Sequence, residues 1–539
     1  MTSRKLGSFL ILVGVICLSA LPANAQSFRV QCPTSTITHP VAANNNSEPA
    51  YKGPTTFAAG GNGYLTPNAN VNGAIKCQQI SGGDGYSTMG DGTQTYMFSF
   101  GPLSGLSKIA NGQPGTDFPY EFNVLSPSTL TPGDPATSVG AGSGPNPVPI
   151  SFNFDGAVGL VPDPDNNGRL DGHVDPRQIT DVGVMNGNIP APLFAIDEDD
   201  EFFLTLTNVG MLMRPDLFEQ HTVHFHGYPN ASSFYDGVPD ASVAINIGGS
   251  FTYYYLAPDA GTYFWHCHIT PPEHLQMGMV GQLYVRPRQN RVPASTTLNA
   301  ALVQQQNDLR TACRRPGDGG TAAVTTIPDI LCSNPVPAGT ATTTTGGGKY
   351  AYNDGDGSTA YDVEYPLQIH GFDPNFHFVG MTFNPEEFAD MKDKYFLLNG
   401  RSYPDTVTPG PLATVSSDGK MHFSQPLPAI INIPAGKKAL LRISDLDVSE
   451  YQTLASLGIP MTVVGYNAKL LRDQAGNNLY YNTNSITLGG GESLDVILDA
   501  TNTALYPSGS VFYLYTPNLD HLSNDAENFG GLMTEIHIN

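Results

Sequence analysis

The chain has 539 residues, room for two to four domains with real cores, and carries 48 acidic against 25 basic residues for a formal net charge of −23. That balance argues against nucleic acid or an anionic membrane surface as partner. Beyond residue 25 no stretch approaches the about 18 to 20 continuous apolar residues of a membrane-spanning helix, so a soluble product is expected.

In chain order, residues 1–25 come first. Arg4 and Lys5 precede an apolar run from Leu6 to Leu21, and Ala23-Asn24-Ala25 closes the stretch, which is the pattern of a secretory signal peptide. A secreted protein, periplasmic or extracellular, is expected, with Gln26 as its first mature residue. Loss of Cys17 leaves five cysteines, an odd number for an oxidising compartment. Cys32 with Cys77 and Cys313 with Cys332 make two plausible disulfides. Cys267 is left over, as a metal-bound thiolate or a buried free thiol.

Residues 26–90 are rich in Gly, Asn, Ser, Thr and Pro and read as an irregular N-terminal extension pinned by its disulfide. Thr95 to Phe100 is the first strand with clear alternation, and a Gly/Pro-rich insertion follows to about Pro149. Asp163, Asp165, Asn167 and Asp171 place oxygen donors around Gly168 as a calcium loop does, but Val174 stands where a bidentate Glu belongs. A structural calcium and a plain acidic turn both fit.

From Asp181 the pattern is strongly β, with strands expected at Ile196 to Asn208, Val223 to His226, Ser250 to Leu256 and Thr262 to His266. Short strands punctuated by Gly, Pro, Asp and Asn indicate a β-sandwich, here a first domain over 91–288 with a loop insertion. Residues 289–360 read as a linker by composition. A second β-rich domain spans 361–539, with strands expected at Tyr395 to Leu398, Ala429 to Ile433, Lys438 to Ile443, Met461 to Val464, Ser493 to Leu498 and Val511 to Tyr515. The fold class is all-β.

The chemistry concentrates in GTYFWHCHITPPEHLQMGM, residues 261–279. His266, Cys267, His268, His274, Met277 and Met279 are soft and borderline donors that select copper over magnesium or calcium. Upstream lies His221-Thr-Val-His224-Phe-His226-Gly227. Residues two apart on a strand share a face, so His224 and His226 pair on one side, as do His266 and His268. Cys267 then joins His221, His274 and Met279 on the other side. Trp265 and the Tyr253–Tyr255 run read as core filling, His370 and His377 as surface or turn residues, and Glu273 and Asp236 as polar loop residues.

These segments resemble the multicopper oxidase family. HTVHFHG has the spacing of its HxxHxHG motif, and HCHI followed by His274 and Gly278-Met279 has the order of its HCH...H...GM motif. NGNIPAPLFAIDEDDEFFLTLTN, the DGVP at Asp236 to Pro239 and AGTYFWHCH resemble successive strands of the family's first domain. LLNGRSYP, KKALLRIS and LGGGESLDVILDA resemble its copper-free middle domain. The resemblance implies two cupredoxin-like Greek-key sandwiches. It also implies a type 1 copper held by His221, Cys267 and His274 with Met279 axial, Met277 being the fallback. His224, His226, His266 and His268 would be half of a trinuclear cluster that reduces dioxygen, with electrons passing through Cys267 and its neighbours His266 and His268.

Two departures accompany it. His274 lies seven residues after Cys267, two more than the family's usual spacing, and the extra residues accompany Pro271-Pro272. The rest of the chain holds isolated histidines, His39, His173, His370, His377, His422, His521 and His537, and no second pair of HxH motifs. A neighbouring subunit of a homotrimer, a smaller copper centre, or copper binding without turnover would each account for that. The expected function is a copper oxidoreductase taking electrons from a small molecule, a metal ion or a protein donor. The alternatives are a blue-copper electron-transfer protein and a copper-binding or assembly protein.

Overall fold

A computed structural model describes residues 31–42, 46–59, 65–105, 108–109, 111–122, 187–211, 214, 216–227, 232–257, 259–302, 343–380, 388–415, 421–473 and 477–539. The signal peptide, the calcium-like loop at 163–174 and the Cys313–Cys332 pair lie outside the described residues. Among the described residues, no helix is long and apolar enough to cross a membrane. Helices there are short, and strands carry the architecture.

Two layered cores account for most of it. In the first, one sheet orders its strands Gln94–Pro102, Ile75–Thr88, Glu201–Gly210 and Ser250–Leu256. The facing sheet orders Phe194–Asp197, Val280–Arg286, Gly261–His266 and the edge strand His224–Phe225. Phe98, Phe100, Phe202, Leu204, Phe251 and Tyr253 from one sheet meet Phe194, Ile196, Phe225, Trp265 and Leu283 from the other. Alternation thus directs every second residue of each strand inward, as a sandwich requires. Trp265 stacks on Phe194 with centroids 4.5 Å apart and 8° between planes, and the expectation that it fills core holds.

The second core lies between a larger sheet, centred on Val363–Phe372, Lys438–Asp445, Ser493–Asp499 and Met461–Tyr466, and a five-stranded one. The latter runs Ile431–Ile433, Met533–Ile538, Val511–Tyr515, Gln452–Leu457 and Ser485–Leu488. Leu441, Ile443, Val463, Val496, Leu454, Leu514 and Ile536 fill it.

The sandwiches press together through Gly261–His266 and Val280–Arg286 of the first and Lys438–Asp445 and Ser493–Asp499 of the second. Thr262 Oγ1 donates to Asp495 Oδ1 at 2.7 Å, and Gln282 Nε2 donates to the Arg442 carbonyl and Ser444 Oγ at 3.0 and 2.9 Å. Glu364 accepts from Arg286 and Arg442 at 2.8 and 3.0 Å, so one carboxylate ties a cation from each sandwich. These bonds and ion pairs compensate the burial of the seam's charged and amide groups.

Three expectations differ from the structure. The stretch 26–90, expected to be irregular, contains the strand Ile75–Thr88, which pairs with both Gln94–Pro102 and Glu201–Gly210. Its SGGDG sequence hides it, because the glycines are there for close approach. A Cβ on Gly82 would stand 2.5 Å from His221 Cδ2, one on Gly83 2.6 Å from Val209 Cγ2, and one on Gly85 2.1 Å from the Gly187 carbonyl oxygen. The described parts of the expected linker are packed: Tyr352 is fully buried, and the Asp354 carboxylate accepts from the backbone N–H groups of Gly357 and Thr359, both at 2.7 Å. Arg472 closes that loop on Asp356 at 2.7 Å. His370 and His377, expected at the surface, are buried at the join of the two sandwiches, for a reason given below. The Cys32–Cys77 disulfide is present with a Cα–Cα distance of 5.7 Å.

Candidate metal centre

The sheet register builds the site. His224 lies directly opposite His266 and Phe225 opposite Trp265 across the antiparallel pair, so the two imidazoles emerge on the same face. His226 Nε2 and His266 Nε2 converge to 2.9 Å. His224, His226 and His266 bring ligand atoms within 4.8 Å of one another. His268 completes the quartet, its ring centroid 5.1 Å from that of His224 and 5.5 Å from that of His266.

Backbone acceptors fix which nitrogen faces inward. His224 Nδ1–H donates to the Asp236 carbonyl at 2.6 Å and His266 Nδ1–H to the Cys267 carbonyl at 2.7 Å, which leaves each Nε2 lone pair for a ligand. Asp236, read from sequence as a loop residue, thereby orients a site histidine through its main chain. Gly237 follows because any side chain there would strike the Val223 carbonyl at 1.9 Å. Burial, with His224 and His268 adding to it, lowers the pKa of His226 to about 4, and burial lowers that of His266 well below its ordinary value. Neutral imidazoles are what a metal needs.

On the other side of the strand, Cys267, His221 and His274 form a second group with ligand atoms within 4.8 Å. His274 Nδ1 is 3.3 Å from Cys267 Sγ, and the Thr222 N–H points at the same sulfur from 3.4 Å. All three side chains are essentially fully buried, as are Met277 and Met279. Both ring nitrogens of His221 are buried without a hydrogen-bond partner. Such a group costs about 1–3 kcal/mol unless something occupies it, so the donor set fits a bound metal.

The loop that delivers His274 and Met279 explains its unusual length. Pro271 and Pro272 start a short helix, Pro271–Gln276, after Thr270 in a left-handed conformation, so the two extra residues form a helical turn. The chain then doubles back: the Met279 N–H donates to the His274 carbonyl at 2.9 Å, and the Cys267 N–H to the Met279 carbonyl at 3.0 Å. Phe98 packs edge-on against the His274 ring.

Sequence reading missed Glu219. Its carboxylate is 3.6 Å from His274 Nε2, at the outer face of the Cys267 group. Burial works against a charged His274, but Cys267 and Glu219 outweigh it and hold its pKa up at about 9. Glu219 itself is partly exposed and its neighbour Phe218 is 79% exposed, so His274 has a solvent-facing carboxylate beside it. Position alone, two residues before His221, was the available signal.

The quartet opens on a cleft. One wall carries His226, His266, His268, Pro271 and Pro272, and the other is the second sandwich's Asp447–Tyr451 and Gly489–Glu492 loops. No histidine lies on that second wall among the described residues. His521 is turned away, its Nδ1 against Gln452 Oε1 at 2.9 Å and its ring stacked on Phe396.

Comparison with known proteins adds the following. The family model "Multicopper oxidase" matches residues 171–290. Multicopper oxidase MCE of Talaromyces pinophilus is 31% identical over 138 residues, 25% of this chain and 21% of that protein. Copper resistance protein A of Pseudomonas syringae pv. tomato is 26% identical over 310 residues, 55% of this chain and 45% of that protein. The chain therefore spans less than half the length of these relatives. Among solved structures, the blue copper oxidase from Nitrosomonas europaea aligns with a TM-score of 0.42 and 21% identity, over 66% of this chain and 78% of that one.

Proposed function

We propose, on the match of residues 171–290 to the multicopper oxidase family model, that this chain is a secreted copper-dependent oxidoreductase. His221, Cys267, His274 and Met279 would hold a type 1 copper. His224, His226, His266 and His268 hold a second copper centre. Copper, when bound, would supply one-electron redox chemistry, with the Cys267 set on the side of a reductant and the histidine set on the side of dioxygen.

The observation that carries this reading is the back-to-back placement of the two donor sets on one strand. Cys267 belongs to one set, and its chain neighbours His266 and His268 belong to the other. A covalent path of a single residue step therefore joins them. The 2.7 Å bond from His266 Nδ1 to the Cys267 carbonyl shortens it further. Burial excludes water from the Cys267 set, and the cleft admits dioxygen to the histidine set. Glu219 gives a reductant a polar contact beside His274. The substrate class is a small reductant, a reducing metal ion or a protein donor.

One observation favours a second reading. The wall facing the quartet offers Asp447, Ser449, Glu450 and Glu492 in place of histidines, so among the described residues this cleft presents half the histidines of a trinuclear cluster. A blue-copper electron-transfer protein with a smaller copper centre fits that wall. Metal analysis with oxygen uptake separates the two. Several coppers per chain, an absorption band at about 600 nm and uptake driven by a reductant support the oxidase. One copper, the same band and no uptake support electron transfer. A colourless copper-loaded protein overturns both.

A further inference from the structure

Gln276 occupies an unusual position for an amide. It lies two residues after His274 and three before Met279, and it is fully buried. Its side-chain amide and its main-chain carbonyl both bond to the second sandwich. Its Nε2 donates to Asp393 Oδ1 at 2.6 Å. Its Oε1 accepts from the Asp373 N–H at 2.9 Å and faces His377 Nε2 at 3.3 Å. Its main-chain carbonyl accepts from His370 Nε2 at 3.2 Å. This is why His370 and His377 are buried: both end on the same glutamine.

The partners of Gln276 are themselves fixed. Asp373 Oδ2 accepts from the Lys392 N–H at 2.7 Å, which ties the turn carrying Asp373 to the segment carrying Asp393. The acceptor and the donor that meet the amide are therefore tied to one another. Beside Gln276, Leu275 packs with Leu446 of the second sandwich and with Phe264 and Val280 of the first. On the opposite side of the loop, Met277 and Met279 are buried in the first core. The loop is thus held between two bodies, and Gln276, through its side chain and its main-chain carbonyl, makes directional bonds to the second.

Resting on the copper reading above, we propose that Gln276 is a positioning residue: through its amide, the second sandwich sets the geometry of the His274–Met279 loop and so of the metal group at Cys267. The second sandwich would then act on the metal centre without contributing a ligand to it. Directional bonds, unlike the apolar contacts of Leu275, fix orientation.

The test compares Gln276→Leu, which keeps bulk and loses the bonds, with the exchanged pair Gln276→Glu plus Asp393→Asn, which restores a donor opposite an acceptor. Amide hydrogen exchange over residues 274–279 of the metal-free protein is the first readout. Exchange in Gln276→Leu is expected to be about tenfold faster or more, and the exchanged pair is expected to recover most of the protection that Gln276→Glu alone loses. In copper-loaded protein the thiolate band and the reduction potential should shift in Gln276→Leu and return in the exchanged pair. Thr262→Val, which breaks a bond between the sandwiches outside the loop, should lower thermal stability and leave exchange and band unchanged. Unchanged exchange in Gln276→Leu, or no recovery in the exchanged pair, overturns the inference. If Gln276→Leu does not fold, the exchanged pair against Gln276→Glu decides alone. Failure of the wild-type protein to bind copper overturns the function proposed above and leaves the exchange result to stand or fall by itself.

Discussion

The histidines of the two sandwiches differ in what they touch. In the first, His221 has both ring nitrogens buried without a protein partner, and His226 and His266 turn their Nε2 atoms toward each other. In the second, His521 sits between Gln452 at 2.9 Å and Glu450 at 3.3 Å, and His370 lies against the Gln276 and Leu446 carbonyls, both at 3.2 Å. One group of imidazoles is incomplete as it stands; the other is satisfied by the protein itself. Burial alone does not separate them, since His521 and His370 are as inaccessible as His266. An unpartnered buried polar atom is costly, so its retention points to a ligand, whereas a partnered one points to structure.

Mutations sharpen that contrast. The largest effect is expected for Cys267→Ser, which should abolish both the band at about 600 nm and any oxygen uptake; either one surviving contradicts the assignment. His226→Ala should lower the copper content and stop oxygen uptake while the band persists. His521→Ala should change thermal stability and leave copper content as it is. If His521→Ala instead releases copper, the division between unpartnered and partnered histidines fails.

The seam between the sandwiches gives a pH prediction. Glu364 is buried, which by itself would raise its pKa, but Arg286 and Arg442 overcome this and lower it from 4.5 to about 2. A carboxyl whose folded pKa is depressed contributes stability above its unfolded pKa and loses it as pH falls through the folded one. Stability should therefore drop between about pH 4.5 and 2, by about 3 kcal/mol from this group. Glu364→Gln should flatten that part of a denaturation series against pH. A smaller effect belongs to Gly82→Ala, whose Cβ would be 2.5 Å from the His221 ring. Displacing that ring should cost about 1–3 kcal/mol in thermal unfolding and weaken the band, whereas Gly92→Ala, with open space around it, should leave the band intact.

Much of the metal chemistry was legible in the chain. Strand alternation around His224, His226, His266 and His268 places imidazoles on one face, and it sends Cys267 to the other, because the side-chain period of a strand is a local property. The β-class was legible for the same reason. The Ile75–Thr88 strand was not: its glycines carry no hydrophobic pattern, and they are glycines because His221, Val209 and Gly187 press on that backbone from elsewhere in the chain. Glu219, the buried state of His370 and His377, and the role of Gln276 were equally out of reach. Each depends on a partner far away in sequence, Gln276 and Asp393 being 117 residues apart. The sequence by itself determined which donors exist and how they divide between two faces of one strand. Only the tertiary structure decided which histidines lack a partner, what lines the cleft opposite them, and that a second sandwich grips the loop bearing His274 and Met279, because those facts are set by packing between elements and not by the order of residues within one.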